Sequence, residues 1–413
     1  MNTKSKNIAL SNPGDGLKQL PVFIFSNMRY DSPIEATSLF LARSLARDRQ
    51  VFYIQSPYTI KDYINNKSID QFSAIKDSLF NSSKAVLDTE IPNLKKVILP
   101  VVAPINFIPE GKIYRIVLKI SERAIAKRIK AILKRNNIGH FVFINSFNFY
   151  YPGIGKALKP DLDIYQCVDP MITPYDVKHG VVSELQLVKQ SDMVICTSKA
   201  LYKEKIKVNP ETYYVPNAAE LVHSSKALDA KLDAHPILKD IPRPIIGYFG
   251  SIERRMDYDM LQKVIAANPD KSFVFVGPMY REHLPEWLFN TPNVYLPGPV
   301  PYEEMPAMLK GFDIATIPFK KDEVSATIFP LKLFEYLGAG KPVIITDFNP
   351  DLEEYTLDAV NICGTAEAFS AAINDILIND NAQKQAYRLQ VAQQNTWDIR
   401  ADKISELIEA GLT

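Results

Sequence analysis

A chain of 413 residues, 46% hydrophobic and 23% charged, carries enough apolar material for two domains of roughly two hundred residues each. Its 48 basic and 47 acidic side chains leave a formal charge of +1, which excludes a global attraction to nucleic acid, so any anionic partner must be met by a local patch. Cys167, Cys196 and Cys363 are too few for a disulfide framework, no apolar run reaches the length of a membrane-spanning helix, and the first twenty residues lack a secretory apolar region; a cytoplasmic setting is expected.

Residues 1–19 are polar and expected to form a disordered tail. Residues 21–26 and 50–55 read as buried strands around a helix over about 34–47, a βαβ unit of a parallel sheet. Ligands meet such sheets outside the carboxyl ends of the strands, which makes Asn27, Arg29 and Asp31 candidates for substrate contact; an Arg29–Asp31 surface pair is the plain alternative. Residues 58–94 show only weak periodicity, and 95–100 reads as a strand. Across 112–135, Ile113, Ile116, Val117, Ile120, Ala124, Ile129 and Ile132 form an apolar helical stripe. Nine Lys and Arg residues surround it, against Glu122 alone. Such a helix either lies on an anionic membrane or packs its stripe on the sheet and leaves its charges in water.

Residues 140–145 and 162–168 are further strands. Asp169 stands just past the second, where a carboxylate can accept the proton of an attacking hydroxyl or merely cap the turn at Pro170. Residues 192–198 lead into a helix with Ser198 as N-cap, 212–217 close the first sheet, and the polar segment 218–243 reads as a linker. A second domain opens with the strand 244–249, the turn Gly250-Ser251, and Arg254 and Arg255, whose guanidinium groups match diphosphate oxygens. A helix over 259–267 and strands at 273–277, 293–298 and 312–318 follow. Helices over 366–378, 382–394 and 399–410 end the chain. The triplets Asp161-Leu-Asp163 and Asp257-Tyr-Asp259 lie in no metal-binding context, the five histidines show no ligand spacing, and no metal or cofactor is expected; dinucleotide and Walker glycine loops are absent.

The most informative stretch is 329–346. Pro330 suits a first helical turn; Leu331, Phe334 and Leu337 recur at helical spacing; Lys332 and Glu335 share the neighbouring face. Gly338, Gly340 and Pro342 end the helix before a buried strand at 343–345. Free N–H groups at a helix start, with a lysine just inside, suit a diphosphate, and Glu335 can accept ribose hydroxyl hydrogens. A solvated Lys–Glu pair is the plain alternative.

Together with Ile245-Ile-Gly-Tyr-Phe-Gly-Ser-Ile252 and Phe273-Val-Phe-Val-Gly-Pro278, this stretch resembles the donor half of GT-B glycosyltransferases of the family 4 type (glycosyl transferases group 1) that build bacterial surface polysaccharides. The likeness is specific over about 244–363 and diffuse before it. It implies an α/β protein of two Rossmann-like parallel-sheet lobes with an interdomain cleft. The acceptor lobe would be 20–217, the linker 218–243, the donor lobe 244–394, and 395–413 a helix crossing back. It implies a nucleotide-sugar donor, UDP-linked, held by Gly250, Ser251, Arg254 or Arg255, with Gly298 and Val300 at the base and Phe329, Pro330, Leu331, Lys332 and Glu335 around phosphates and ribose. The acceptor would be a glycan or lipid-linked glycan, transfer would need no metal, and no nucleic acid would be bound. Two departures stand out: Ala218 replaces the family's Gly after Pro-Asn, and Thr327 replaces its Glu eight residues before Glu335, the nearest acid being Glu323. The missing Glu, together with Asp169 in the acceptor lobe, tilts the expectation toward inversion with Asp169 as base, while Ala218 implies a different turn. An inactive GT-B scaffold of a polysaccharide-assembly complex and a sugar-nucleotide epimerase are the alternatives.

Overall fold

The computed structural model describes residues 19–32, 36–66, 70–171 and 174–413; the tail expected over 1–19 and the helix start expected at 34 fall almost wholly outside that range. The chain forms two compact units, one of Met1–Cys196, Tyr202–Tyr214 and Ala401–Thr413, the other of Thr197–Leu201 and Val215–Arg400.

The first unit holds an eight-stranded sheet: β1 (Val22–Ser26), β2 (Val51–Ile54), β3 (Val86–Asp88), β4 (Leu94–Val97), β5 (Val142–Ser146), β6 (Leu162–Cys167), β7 (Met193–Cys196) and β8 (Thr212–Tyr214), in the order β3-β4-β2-β1-β5-β6-β7-β8. Every pairing is parallel except β3 with β4 at the edge. The central strands are apolar at nearly every position because helices cover both faces of a parallel sheet. Those helices include α1 (Thr37–Leu45), α2 (Lys112–Arg135) and α3 (Pro174–Gln190).

Helix α2 has the expected span and a different inner face. Tyr114, Leu118, Ser121, Ile125, Ile129 and Ile132 point inward, whereas Ile113, Ile116 and Ile120 are 71%, 63% and 61% exposed. The two rows run side by side at helical spacing, and Ser121 interrupts the true inner one, so the sequence pattern favours the wrong row. Two of the nine cations are also turned away from solvent. Arg115 binds Glu110 (2.7 Å), and the buried Arg128 donates to the carbonyls of Ser78, Leu79 and Ile98 (2.7, 2.9 and 3.3 Å).

The second unit is a six-stranded, wholly parallel sheet of β9 (Ile245–Phe249), β10 (Ser272–Val276), β11 (Val294–Gly298), β12 (Ile314–Ile317), β13 (Val343–Thr346) and β14 (Asn361–Cys363), ordered β11-β10-β9-β12-β13-β14. Its helices include α4 (Tyr258–Ala267), capped by the Asp257 carboxylate on Met260 N–H, α5 (Leu331–Gly338), α6 (Ala366–Asn379), α7 (Ala382–Gln393) and the start of α8 (Trp397–Leu412). Residues 218–243, expected as a linker, pack on this unit, with Leu238 in its core and Ser224 fully buried. The strand order reverses between β9 and β12, and a crevice outside the carboxyl ends of the strands at such a switch point is where open parallel sheets take ligands.

The Arg128 bonds give the fold a direct test. Arg128→Met leaves three buried carbonyls without donors and is expected to cost the first unit about 2–4 kcal/mol. Chemical denaturation followed by a first-unit probe checks this.

Candidate functional site

The carboxyl ends of β9, β10 and β11 each turn at a glycine with positive φ: Gly250 (+151°), Gly277 (+146°) and Gly298 (+89°). Backbone bonds tie the three turns together, Gly250 N–H to Val276 O (2.8 Å) and Gly277 N–H to Gly298 O (2.9 Å). A side chain at Gly277 would overlap the Gly250 carbonyl, so the close approach of the turns requires glycine there.

Helix α5 is locked onto this platform. The Tyr336 hydroxyl accepts from Phe249 N–H (2.9 Å) and donates to Phe249 O (3.2 Å), fixing the helix against the last residue of β9. Leu333, Phe334, Tyr336 and Leu337 are fully buried, a wider apolar face than Leu331, Phe334 and Leu337 alone suggest. Pro330 takes the position just before the helix, one residue earlier than expected. No side chain caps the start; Leu333 N–H turns back to Pro330 O (3.3 Å), which leaves the Leu331 and Lys332 N–H groups as the uncapped donors of the helix. The approach loop is pinned from two sides, Asn217 Nδ2 donating to Phe329 O (3.0 Å) and Asn349 Nδ2 to Ile328 O (2.8 Å).

Just inside the helix start, Lys332 reaches over the glycine turn. A Cβ placed on Gly250, itself at positive φ, would sit 3.0 Å from Lys332 Nζ, so a larger residue there would displace the ammonium from this position. Its walls are aromatic: Nζ lies 5.2 Å from the Tyr248 ring centre and 5.3 Å from that of Phe319. The Arg255 guanidinium stands 5.5 Å from the same Phe319 ring and is paired with Glu253. Burial, and then the positive Arg255, push the Lys332 pKa down to about 8, while Glu335 and Glu253 pull the other way. Two cations thus stand beside the glycine turn and the uncapped start of α5, a set of donors suited to an anion.

Glu335 is 7% exposed, and its Oε1 accepts from the Tyr302 hydroxyl (2.6 Å). It is not half of a solvated pair. Tyr302 in turn stacks on His223 (ring centres 4.6 Å apart), whose Nε2 bonds Tyr302 O (2.8 Å). The structure therefore brings together Gly250, Ser251, Arg255, Gly298, Val300, Phe329, Pro330, Leu331, Lys332 and Glu335 on one end of the second sheet. Arg255, rather than Arg254, packs against the Lys332 wall. Thr327 is turned to Val324 O (2.6 Å), and Glu323 is exposed. Sequence reasoning missed Tyr248, Phe319, Tyr302, His223 and Asn217's bond to Phe329, which act through contacts distant in the chain and carry no local signal.

In the first unit, Asp169 is exposed two residues past β6, at the carboxyl end of its strand. Asn27 is half-buried in the bend after β1. Arg29 and Asp31 do not pair with each other: Arg29 lies over the Tyr58 ring (3.9 Å) and bonds Asp62 (3.2 Å), and Asp31 bonds Lys96 (2.7 Å). Of the Asp-x-Asp triplets, Asp257 caps α4 and Asp161 bonds His140 Nδ1 (2.8 Å) and Phe141 N–H (2.7 Å).

Residues 243–379 match the family model of glycosyl transferases group 1. A Bacillus subtilis protein named for teichuronic acid biosynthesis, the glycosyltransferase TuaH, is 28% identical over 218 residues, which cover 48% of this chain and 53% of that protein; the match thus spans about half of this relative's length. Among solved structures, sucrose-phosphate synthase from Thermosynechococcus elongatus superposes with a TM-score of 0.63 at 15% identity over 94% of this chain and 98% of that one. Anabaena HepE in complex with UDP and glucose gives 0.60 at 12% over 95% and 100%. These likenesses show the fold, GT-B.

The depressed Lys332 pKa has a measurable consequence. Folded Lys332 releases its proton near pH 8, against 10.5 when unfolded, so between those values the unfolded chain holds more protons and the lysine's contribution to stability rises with pH. Lys332→Met is expected to raise the melting temperature at pH 7, and its advantage over wild type to shrink toward pH 10. Lys341, also lowered to about 8, is common to both proteins and cancels in the difference.

Proposed function

We propose that this chain, whose second unit carries a glycosyl transferases group 1 domain within a GT-B fold, moves a hexose from a UDP-sugar to a hydroxyl of a glycan or lipid-linked glycan at the cytoplasmic face of a membrane. The observation that carries this reading is the Lys332 ammonium held over the Gly250 turn beside Arg255. Donor diphosphate oxygens would bind between those two cations. The two cations would stabilise the charge that grows on UDP as the glycosidic bond breaks, the work that a divalent ion does in other transferases. Glu335 would accept from the ribose hydroxyls, Tyr302 holding the carboxylate in place. UDP is favoured as the carrier by the complex of the Anabaena neighbour, and a surface glycan as the product by the name of the Bacillus relative.

Asp169 would take the proton of the acceptor hydroxyl as the new bond forms, the acceptor oxygen attacking the anomeric carbon and UDP leaving from the opposite face. The position of Thr327, where the family's donor-contacting Glu stands, supports inversion.

Isothermal titration with UDP tests the reading. Wild type is expected to bind, Lys332→Met and Arg255→Met to lose about 10- to 100-fold in affinity, and binding to weaken as pH rises past 8. Asp169→Asn should keep UDP affinity and lose about 100-fold or more in transfer rate. UDP affinity untouched by both cation substitutions would refute the site.

A further inference from the structure

We infer that the outward face of α2, together with Phe107, is a docking surface for an anionic lipid bilayer. Four large apolar side chains are out in water at one end of this helix: Ile113, Ile116 and Ile120 at 61–71% exposure and Phe107, in the loop just before it, at 78%. The loop is not loose. Lys178 Nζ donates to the carbonyls of Asn106 and Phe107 (3.0 and 3.4 Å), and Ile105 is buried with Tyr114 and Leu118 beneath it, so Phe107 is held outward. A cluster of such residues on one helical face marks a contact site rather than stray surface apolarity.

Charge identifies the partner. The same face carries Lys112, Lys119, Arg123, Lys127, Lys130 and Lys134, all exposed. The nearby acids are already bonded: Glu122 accepts from Gly153 N–H (2.6 Å), and Glu110 is bound by Arg115 and His179 (2.7 Å each). Beside the helix runs a groove of about 360 Å³, lined by Lys119, Arg123, Lys127 and Lys130 together with Glu122 and Gly153, whose mutual bond engages the carboxylate; four cations against that one acid suit a phosphate headgroup. A 24-residue helix offers about 36 Å of length to lie in a membrane interface, apolar side chains entering the acyl boundary and lysines meeting lipid phosphates. A second copy of the chain would set this row of cations against its own likeness, and a soluble polyanion would leave the isoleucines in water. Neither accounts for both halves of the face. No described helix is long and apolar enough to cross a membrane, so attachment would be lateral.

The inference stands apart from the donor site, because vesicle binding needs neither UDP nor an acceptor. The test is flotation of the full chain with phosphatidylcholine vesicles, with and without phosphatidylglycerol. Binding only to the phosphatidylglycerol vesicles is expected. The Ile113→Ser/Ile116→Ser/Ile120→Ser variant and the Lys119→Gln/Arg123→Gln/Lys127→Gln variant should each weaken it about tenfold or more while keeping the wild-type UDP affinity and melting curve. Ile116→Trp should show blue-shifted emission on the same vesicles. Three outcomes would overturn it: no vesicle binding; binding that the serine variant leaves unchanged and soluble polygalacturonate abolishes, which indicates a glycan-docking face; or a wild-type dimer that the serine variant splits, which indicates a second copy of the chain.

Discussion

A lysine ammonium held over a turn with no side chain to keep it away is the feature on which the proposed donor site of the second unit depends. Three things make it possible: glycine at 250, the two hydrogen bonds between the Tyr336 hydroxyl and Phe249 that set the helix against the end of β9, and the aromatic pair Tyr248 and Phe319 that flanks the charge without neutralising it. Each is ordinary alone. Together they leave a cation partly out of water beside a second cation, a state that disfavours the charged lysine and shows as its lowered pKa. Sites that depart from the locally most stable choice in this way are commonly functional ones.

The surrounding structure removes freedom rather than adding charge. Asn217 and Asn349 hold the loop that delivers the helix start, and Tyr302, steadied by His223, holds Glu335. On the transferase reading, donor groups meet a carboxylate and an ammonium already in position, so little reorganisation accompanies the charge that develops on the leaving group. The switch in strand order explains why these pieces gather where they do: the chain after β9 and the chain after β12 leave the sheet on either side of the same gap.

Helix α2 solves a different problem with the same economy. One face, from Tyr114 to Ile132, closes the core of the first unit; the other couples isoleucines to lysines. A helix serving two apolar surfaces cannot show the single clean stripe of a half-buried one. That is also why Arg128, which reads as one more surface cation, is instead a buried donor joining α2 to the carbonyls of Ser78, Leu79 and Ile98.

The sequence by itself determined the parallel strands of both sheets and the placing of Gly250 after its strand and of Lys332 and Glu335 on their helix, but not the antiparallel β3 or helix α3. These rest on short-range patterns: runs of β-branched and aromatic residues that only a doubly covered sheet buries, helical spacing, and glycines that end elements. Tertiary structure alone decided which arginine stands beside Lys332, what Glu335 bonds, which isoleucines of α2 are outside, and that Arg29 and Asp31 go to Asp62 and Lys96 instead of each other. The physical reason is the same in each case. A side chain's partner is set by which distant segment packs over it, and its pKa by the water that segment removes, and neither quantity exists until the chain has closed on itself.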